Sequence, residues 1–364
     1  MRHGVILAGG SGTRLWPMSR RRLPKQLIPF VEGKSLLELS FERVEGLVGP
    51  ENVAVCASAE HREAIARALP GLRPENFLGE PVGRDTLSAV GLAAAVIAER
   101  DPAATIGVFT ADHLIRPLDR FRSAIAAGYE LAEKAPGALV TFGVVPAGPS
   151  TAYGYLELGA EFDGGARRVA RFHEKPGPEA AAEYFEAGPG RYLWNSGMFA
   201  WKAGAILERI RRYEPEVFAA LARIAGAWDG PDRERVLSAR YPGLRKTSVD
   251  YAVMEPASRD PGAVVLAVPL DVEWLDVGSW TSFAASCPKD ASENALGGGR
   301  HALEGTRRTL VASSDPEHLI AAIGCEDLLI VHTPDATLVC RRGDAEKVKE
   351  MYQKVSGRFG ERYS

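Results

Sequence analysis

Short apolar runs alternate with helix-compatible stretches along the chain up to about Pro146. The runs are Val5-Ile6-Leu7-Ala8, Val53-Ala54-Val55-Cys56, Thr105 to Thr110 and Ala138 to Val144. Each is too short for a helix and is mostly apolar and free of charge, the pattern of a strand covered on both faces. Between them lie Ser35 to Val48, Ala59 to Ala68, Thr86 to Arg100 and Arg120 to Lys134, long enough for crossover helices. Strand, helix and strand in this rhythm predict an α/β fold: a Rossmann-like, mostly parallel sheet with helices on its faces.

Beyond Pro146 the texture changes. Tyr153 to Leu158 reads as hairpin material, Pro178 to Glu186 and Ala203 to Tyr213 as helices, and Ala263 to Val268 as a further strand. From about Asn294 short strands dominate, among them Thr309 to Ala312 and Leu328 to Val331, and Asp344 to Val355 reads as a closing charged helix. The Gly297-Gly298-Gly299 run marks a turn or linker near this change. The expected division is 1–285 as a catalytic domain and 286–364 as a small β-rich C-terminal domain.

Charge narrows the partners. A formal net charge of −3 argues against nonspecific binding to nucleic acid or to an anionic membrane. No segment approaches the roughly 20 continuous apolar residues of a membrane span, and residues 1–4 lead straight into a strand rather than a signal sequence. Cys56, Cys287, Cys325 and Cys340 lie far apart with no CxxC pair, and read as buried thiols of a reducing compartment. A cytoplasmic protein is expected.

The first strand runs into Gly9-Gly10-Ser11-Gly12-Thr13-Arg14. Glycines there allow positive φ and close approach of backbone N–H groups to an anion. The spacing fits neither a Walker A loop nor a dinucleotide fingerprint, because Leu15 stands where the third glycine belongs. Glycines alone are equally compatible with a tight turn. Arg14 at the end of the loop and Lys25 after a proline-constrained segment tip the balance, since both can neutralise a polyphosphate. Arg20, Arg21 and Arg22 read instead as a solvated run.

The segment LAGGSGTRLWPMSRRRLPKQ resembles the signature of the nucleotidyltransferases that activate sugar 1-phosphates, in their GDP-mannose-forming branch. Further matches follow in the family's order over about the first 280 residues. They are Gly83 to Thr86, Ala111-Asp112-His113, Tyr153-Gly154-Tyr155, Glu174-Lys175-Pro176, Trp194 to Phe199, Ser248 to Tyr251 and Trp274 to Trp280. The resemblance implies transfer of GMP from GTP to mannose 1-phosphate. Leu7, Ala8, Gly9, Gly10, Gly12, Thr13, Asp85 and Asp112 would bind the nucleotide, and Gly154, Glu174, Lys175 and Asn195 the sugar phosphate. Asp112 and Asp276 would hold Mg²⁺, and Arg14, Lys25 and Lys175 would act in catalysis. His113 reads as support or packing, because a neutral nitrogen suits Mg²⁺ poorly. Trp194 and Trp280 read as pocket walls or as core.

One position departs from the pattern. The branch usually carries Arg-Asn-Thr where this chain has Arg84-Asp85-Thr86. An Asp can accept from guanine N1–H and the 2-amino group, and equally from ribose hydroxyls. Glucose 1-phosphate with UTP or dTTP, and a non-catalytic sugar-nucleotide sensor, are the alternatives. The tail resembles the branch's short left-handed β-helix. Packing and homodimer formation are both open to it, and no isomerase domain is expected within these residues.

Overall fold

The structure, a computed structural model, describes residues 1–10, 12–31 and 33–363, with the side chains of Phe30 and Val31 left aside. Ser11 of the glycine loop lies outside the described residues. The chain forms two compact units. The first takes Met1–Gly9, Ser40–Ala111 and Ile115–Trp274; the second takes Gly10–Leu39, Asp112–Leu114 and Leu275–Ser364.

The first unit is built on a nine-stranded sheet. Its strands are β1 (Arg2–Leu7), β2 (Val53–Ser58), β3 (Phe77–Glu80), β4 (Thr105–Thr110), β5 (Ala138–Val144), β6 (Tyr155–Glu161), β7 (Arg167–His173), β8 (Tyr192–Lys202) and β9 (Val264–Leu270). Their order across the sheet is β3-β2-β1-β4-β8-β5-β9-β7-β6. The pairs β1–β2, β1–β4, β2–β3 and β5–β9 are parallel, as the apolar runs predict. Strand β8 enters antiparallel between β4 and β5, and β6–β7 is the expected hairpin. Leu7 pairs with both Cys56 and Thr110, so three carboxyl ends of the parallel strands finish level. That level edge is where open α/β sheets bind ligands.

Helix Asp85–Arg100 is rich in Ala, Val and Leu on every side and is buried from Leu87 to Ile97. It packs between the sheet and the helices Ala203–Tyr213 and Pro215–Gly226. A Cβ at Gly91 would lie 2.5 Å from Leu221 Cδ1, so glycine there permits the close helix approach. No described helix is long and apolar enough to cross a membrane.

In the second unit Ala295–Gly297, Leu310–Ser313 and Leu328–Thr333 form successive parallel rungs, closed by antiparallel Ala336–Arg341. Arg300–Glu304 and Leu319–Ile323 make a second parallel ladder. The buried Asn294 secures a corner: its side-chain amide donates to Thr306 O at 2.8 Å and its oxygen accepts from Thr309 N at 3.0 Å. Leu310, Leu329, Val331 and Leu338 meet Leu15, Trp16, Met18, Trp280 and Phe283 in one core. The closing helix runs later than the sequence suggests. Arg342–Lys347 is a 3₁₀ turn and the α-helix spans Val348–Phe359, ending where Gly360 takes a φ of 81°.

Candidate active site

In the second unit the glycine loop turns through positive φ at Gly10 (93°) and Gly12 (62°). Gly12 is constrained twice, because a Cβ there would lie 2.6 Å from Lys25 Cβ. Its carbonyl accepts from Leu15 N at 2.8 Å and from Ser19 Oγ at 2.7 Å, which fixes the turn that Thr13 and Arg14 open. Lys25 begins the turn Lys25–Leu27 directly after Pro24. Its half-buried Nζ donates to Asp112 Oδ2 at 2.7 Å and to Val277 O at 3.3 Å, while Val277 N donates to Asp112 O at 3.0 Å. Glycine loop, Lys25 and the two carboxylate segments thus share one framework. Arg14 pairs with Glu346 at 3.2 Å with both side chains exposed, a contact that holds the guanidinium weakly.

Asp112, His113 and Asp276 can each bring a ligand atom within 4.8 Å of the others. Burial alone would raise the Asp112 carboxyl, but the Lys25 ammonium and then His113 outweigh it and hold it below the ordinary range. Asp276 goes the other way: burial, then the neighbouring Asp112 carboxylate, push it up to about 6. Two carboxylates that repel across a short gap suit a cation, and their hard oxygens fit a divalent one. The buried His113 lies beside this group, with Nε2 3.8 Å from Asp112 Oδ1.

Three sequence readings are changed or settled here. Arg20 is not a solvated residue: its guanidinium donates to Tyr363 O (2.8 Å), Asp335 Oδ1 (2.7 Å) and Thr333 Oγ1 (3.2 Å). Trp280 is core rather than wall, fully buried with Nε1 donating to Trp16 O at 2.9 Å. Of the cysteines Cys56 alone is buried, the other three being half-buried.

In the first unit Leu7 and Ala8 end β1, where Ala8 N donates to Cys56 O at 2.8 Å, and exposed Gly9 follows. Gly154, Glu174, Lys175 and Asn195 come together. Asn195 N donates to Gly154 O at 2.8 Å, and a Cβ on Gly154 would lie 2.5 Å from Glu174 Oε2. The Glu174 side chain is 5% exposed and Lys175 52%, joined Nζ to Oε1 at 2.6 Å. Burial works against the Lys175 charge, but the Glu174 hydrogen bond and charge, with Asp250 and Tyr251, together outweigh it and raise the ammonium above its ordinary range. Asn195 Oδ1 accepts from Thr141 Oγ1 at 2.8 Å, and its Nδ2 donates to Asp250 Oδ1 at 2.9 Å. Beside it Trp194 tilts against Tyr153 at 4.9 Å between ring centroids.

The sequence reading assigned no role to Asp250. Its carboxyl is pushed up to about 7, first by burial and then by the Glu174 carboxylate, with Lys175 opposing. Asp250 opens a π-helical turn, Asp250–Met254, a geometry concentrated at functional sites. Asp85 starts the helix Asp85–Arg100 with a φ of 68° and accepts Thr86 N on Oδ1 at 2.8 Å. Asn and Asp are the side chains that tolerate this conformation best. The adjoining Thr86 Oγ1 accepts from Val249 N at 3.0 Å, tying that helix start to the Asp250 turn.

Two family profiles match successive parts of the chain. A family profile described as Nucleotidyl transferase matches residues 3–293, and one described as MannoseP isomerase/GMP-like beta-helix domain matches 299–355. The chain is 38% identical over 352 residues to mannose-1-phosphate guanylyltransferases of Escherichia coli and Klebsiella pneumoniae, covering 95% of this chain and 72% of each relative. A crystal structure described as mannose-1-phosphate geranyltransferase from Thermus thermophilus superposes with a TM-score of 0.85 at 35% identity, covering 98% of this chain and 99% of that one. With a Rossmann-like sheet, a β-helix-like C-terminal part and these relatives, the chain belongs to the nucleotidyl transferase family and is an enzyme of that class.

Proposed function

We propose that this enzyme transfers GMP from GTP to mannose 1-phosphate, releasing pyrophosphate and GDP-mannose, with residues 1–285 carrying the activity. The observation that carries the reading is Lys25, held 2.7 Å from Asp112 in the framework that also contains the glycine loop and Asp276. The choice of substrates is supported by likeness to relatives named for them.

The nucleophile is the 1-phosphate oxygen of the sugar phosphate, already anionic, so no general base is needed. It bonds to the α-phosphorus of GTP as the bond from that phosphorus to the β-bridging oxygen breaks. Pyrophosphate takes the electron pair, and no proton moves. The barrier is mainly the gathering of negative charge, so positioning and neutralisation do the catalysis. The loop amides of Gly10, Gly12 and Thr13 and the Arg14 guanidinium hold the triphosphate and its leaving charge. Lys25 neutralises the α-phosphate. Asp112 and Asp276 would hold Mg²⁺, which when bound supplies charge neutralisation and a Lewis-acid contact to phosphate oxygens. Lys175 orients the nucleophilic phosphate, while Glu174, Asn195 and the backbone at Gly154 meet the sugar. Asp85 takes the base or the ribose.

The test is pyrophosphate release with Mg²⁺, crossing GTP, ATP, UTP and dTTP with mannose 1-phosphate and glucose 1-phosphate. Release confined to GTP with mannose 1-phosphate is expected. Turnover led by UTP or dTTP would reassign the base and turn attention to Asp85, and silence in every combination would leave a binding protein.

A further inference from the structure

Asp250 faces Glu174, Lys175 and Asn195 with no part in the chemistry above. Keeping a second, half-buried carboxylate beside Glu174 is costly, and Lys175 opposes that cost only in part. Asn195 explains what the position offers. The single proton of Thr141 Oγ1 has the Asn195 oxygen at 2.8 Å, nearer than Met198 O at 3.3 Å, and with that oxygen so engaged Asn195 Nδ2 donates to Asp250 Oδ1. The result is a fixed amide donor beside a carboxylate acceptor. A carboxylate has about four acceptor sites and an amide nitrogen two donor hydrogens. The Asn195–Asp250 bond uses one of each, and the remainder match a hydroxyl, which both donates and accepts.

We propose that Asp250 is a specificity-determining residue for the sugar: its carboxylate accepts a hydrogen bond from one ring hydroxyl, whose oxygen accepts from Asn195 Nδ2. The inference rests on the reading that this part of the first unit takes the hexose 1-phosphate. Glu174, buried and joined to Lys175, provides a second carboxylate for the ring, and Trp194 with Tyr153 an apolar surface beside it. The tie from Thr86 to Val249 holds the Asp250 turn in register.

The test is a cycle between residue and hydroxyl. Initial rates of pyrophosphate release are measured for the wild type and Asp250→Asn on the preferred hexose 1-phosphate and on its 2-, 3-, 4- and 6-deoxy analogues. Loss of one charged hydrogen bond should lower kcat/KM for the parent sugar about 10- to 100-fold, leaving the GTP KM within about twofold. One deoxy analogue, poor for the wild type, should be no poorer a substrate relative to the parent in the variant. Thr141→Val, which frees the Asn195 amide to flip, should weaken discrimination at the same hydroxyl and provides a second reading should Asp250→Asn fold badly. An unchanged kcat/KM, or one falling equally for parent and every analogue, overturns the proposal. Wild-type silence toward every hexose 1-phosphate instead overturns the underlying reading, and this proposal with it.

Discussion

Lys25 is held by its surroundings at three points. Its ammonium bonds to Asp112, its stem lies against Gly12, and Pro24 sets the turn that presents it. Lys25→Ala should lower kcat by ~10²-fold or more, the scale of one preorganised transition-state contact; a near-normal kcat from steady-state assays would remove it from the mechanism. Gly12→Ala meets two obstacles, a φ of 62° and a Cβ 2.6 Å from Lys25. It should displace Lys25 and cost more than about 1 kcal/mol of stability, read from urea melts, with activity falling alongside. Asp250 gives a pH prediction. Its carboxyl sits near 7 when folded, against about 3.9 in an unfolded chain. The folded form therefore binds the extra proton, and this stabilisation is complete below about pH 4 and lost as pH rises through about 7. Asparagine cannot ionise, so Asp250→Asn should be more stable than the wild type near pH 8, with the difference shrinking toward about pH 5. A constant difference in melts at the two pH values would contradict it.

Among the elements, those with one strong signal were legible and those with mixed signals were not. β4 and β5 match the apolar runs Thr105 to Thr110 and Ala138 to Val144 residue for residue, because burial on both faces leaves no other composition. β8 is not apparent from the sequence although it lies within the sheet, because Asn195, Ser196 and Gly197 interrupt its apolar pattern. The glycine loop, Lys25 and both metal-type carboxylates stand in motifs that a resemblance can carry. Asp250 also stands in such a motif, yet its contact with Asn195 is one that no local spacing reveals. Arg20 was misread for a similar reason, since three consecutive arginines look solvated until the carbonyl of Tyr363 and the carboxylate of Asp335 come to meet one of them. Arg20→Ala should lower the Tm by several degrees, as loss of a charged hydrogen-bond set of about 2–3 kcal/mol implies. An unchanged Tm would return Arg20 to the solvated class.

At the scale of the molecule, each of the two units gathers a set of charged and polar residues. The second unit gathers Gly12, Arg14, Lys25, Asp112 and Asp276, fit for phosphate and a divalent cation; the first gathers Glu174, Lys175, Asn195 and Asp250, fit for a sugar phosphate. Removing divalent cations with a chelator should abolish turnover and adding Mg²⁺ should restore it. Full activity in the chelator would exclude Asp112 and Asp276 from a metal role. The most direct test of the central claim follows the phosphorus itself. GTP labelled at the α-phosphate, and in a parallel sample at the γ-phosphate, is incubated with mannose 1-phosphate and Mg²⁺, and the products are separated. The account predicts the α label in GDP-mannose and the γ label in pyrophosphate. Label in orthophosphate with no sugar nucleotide formed would contradict it.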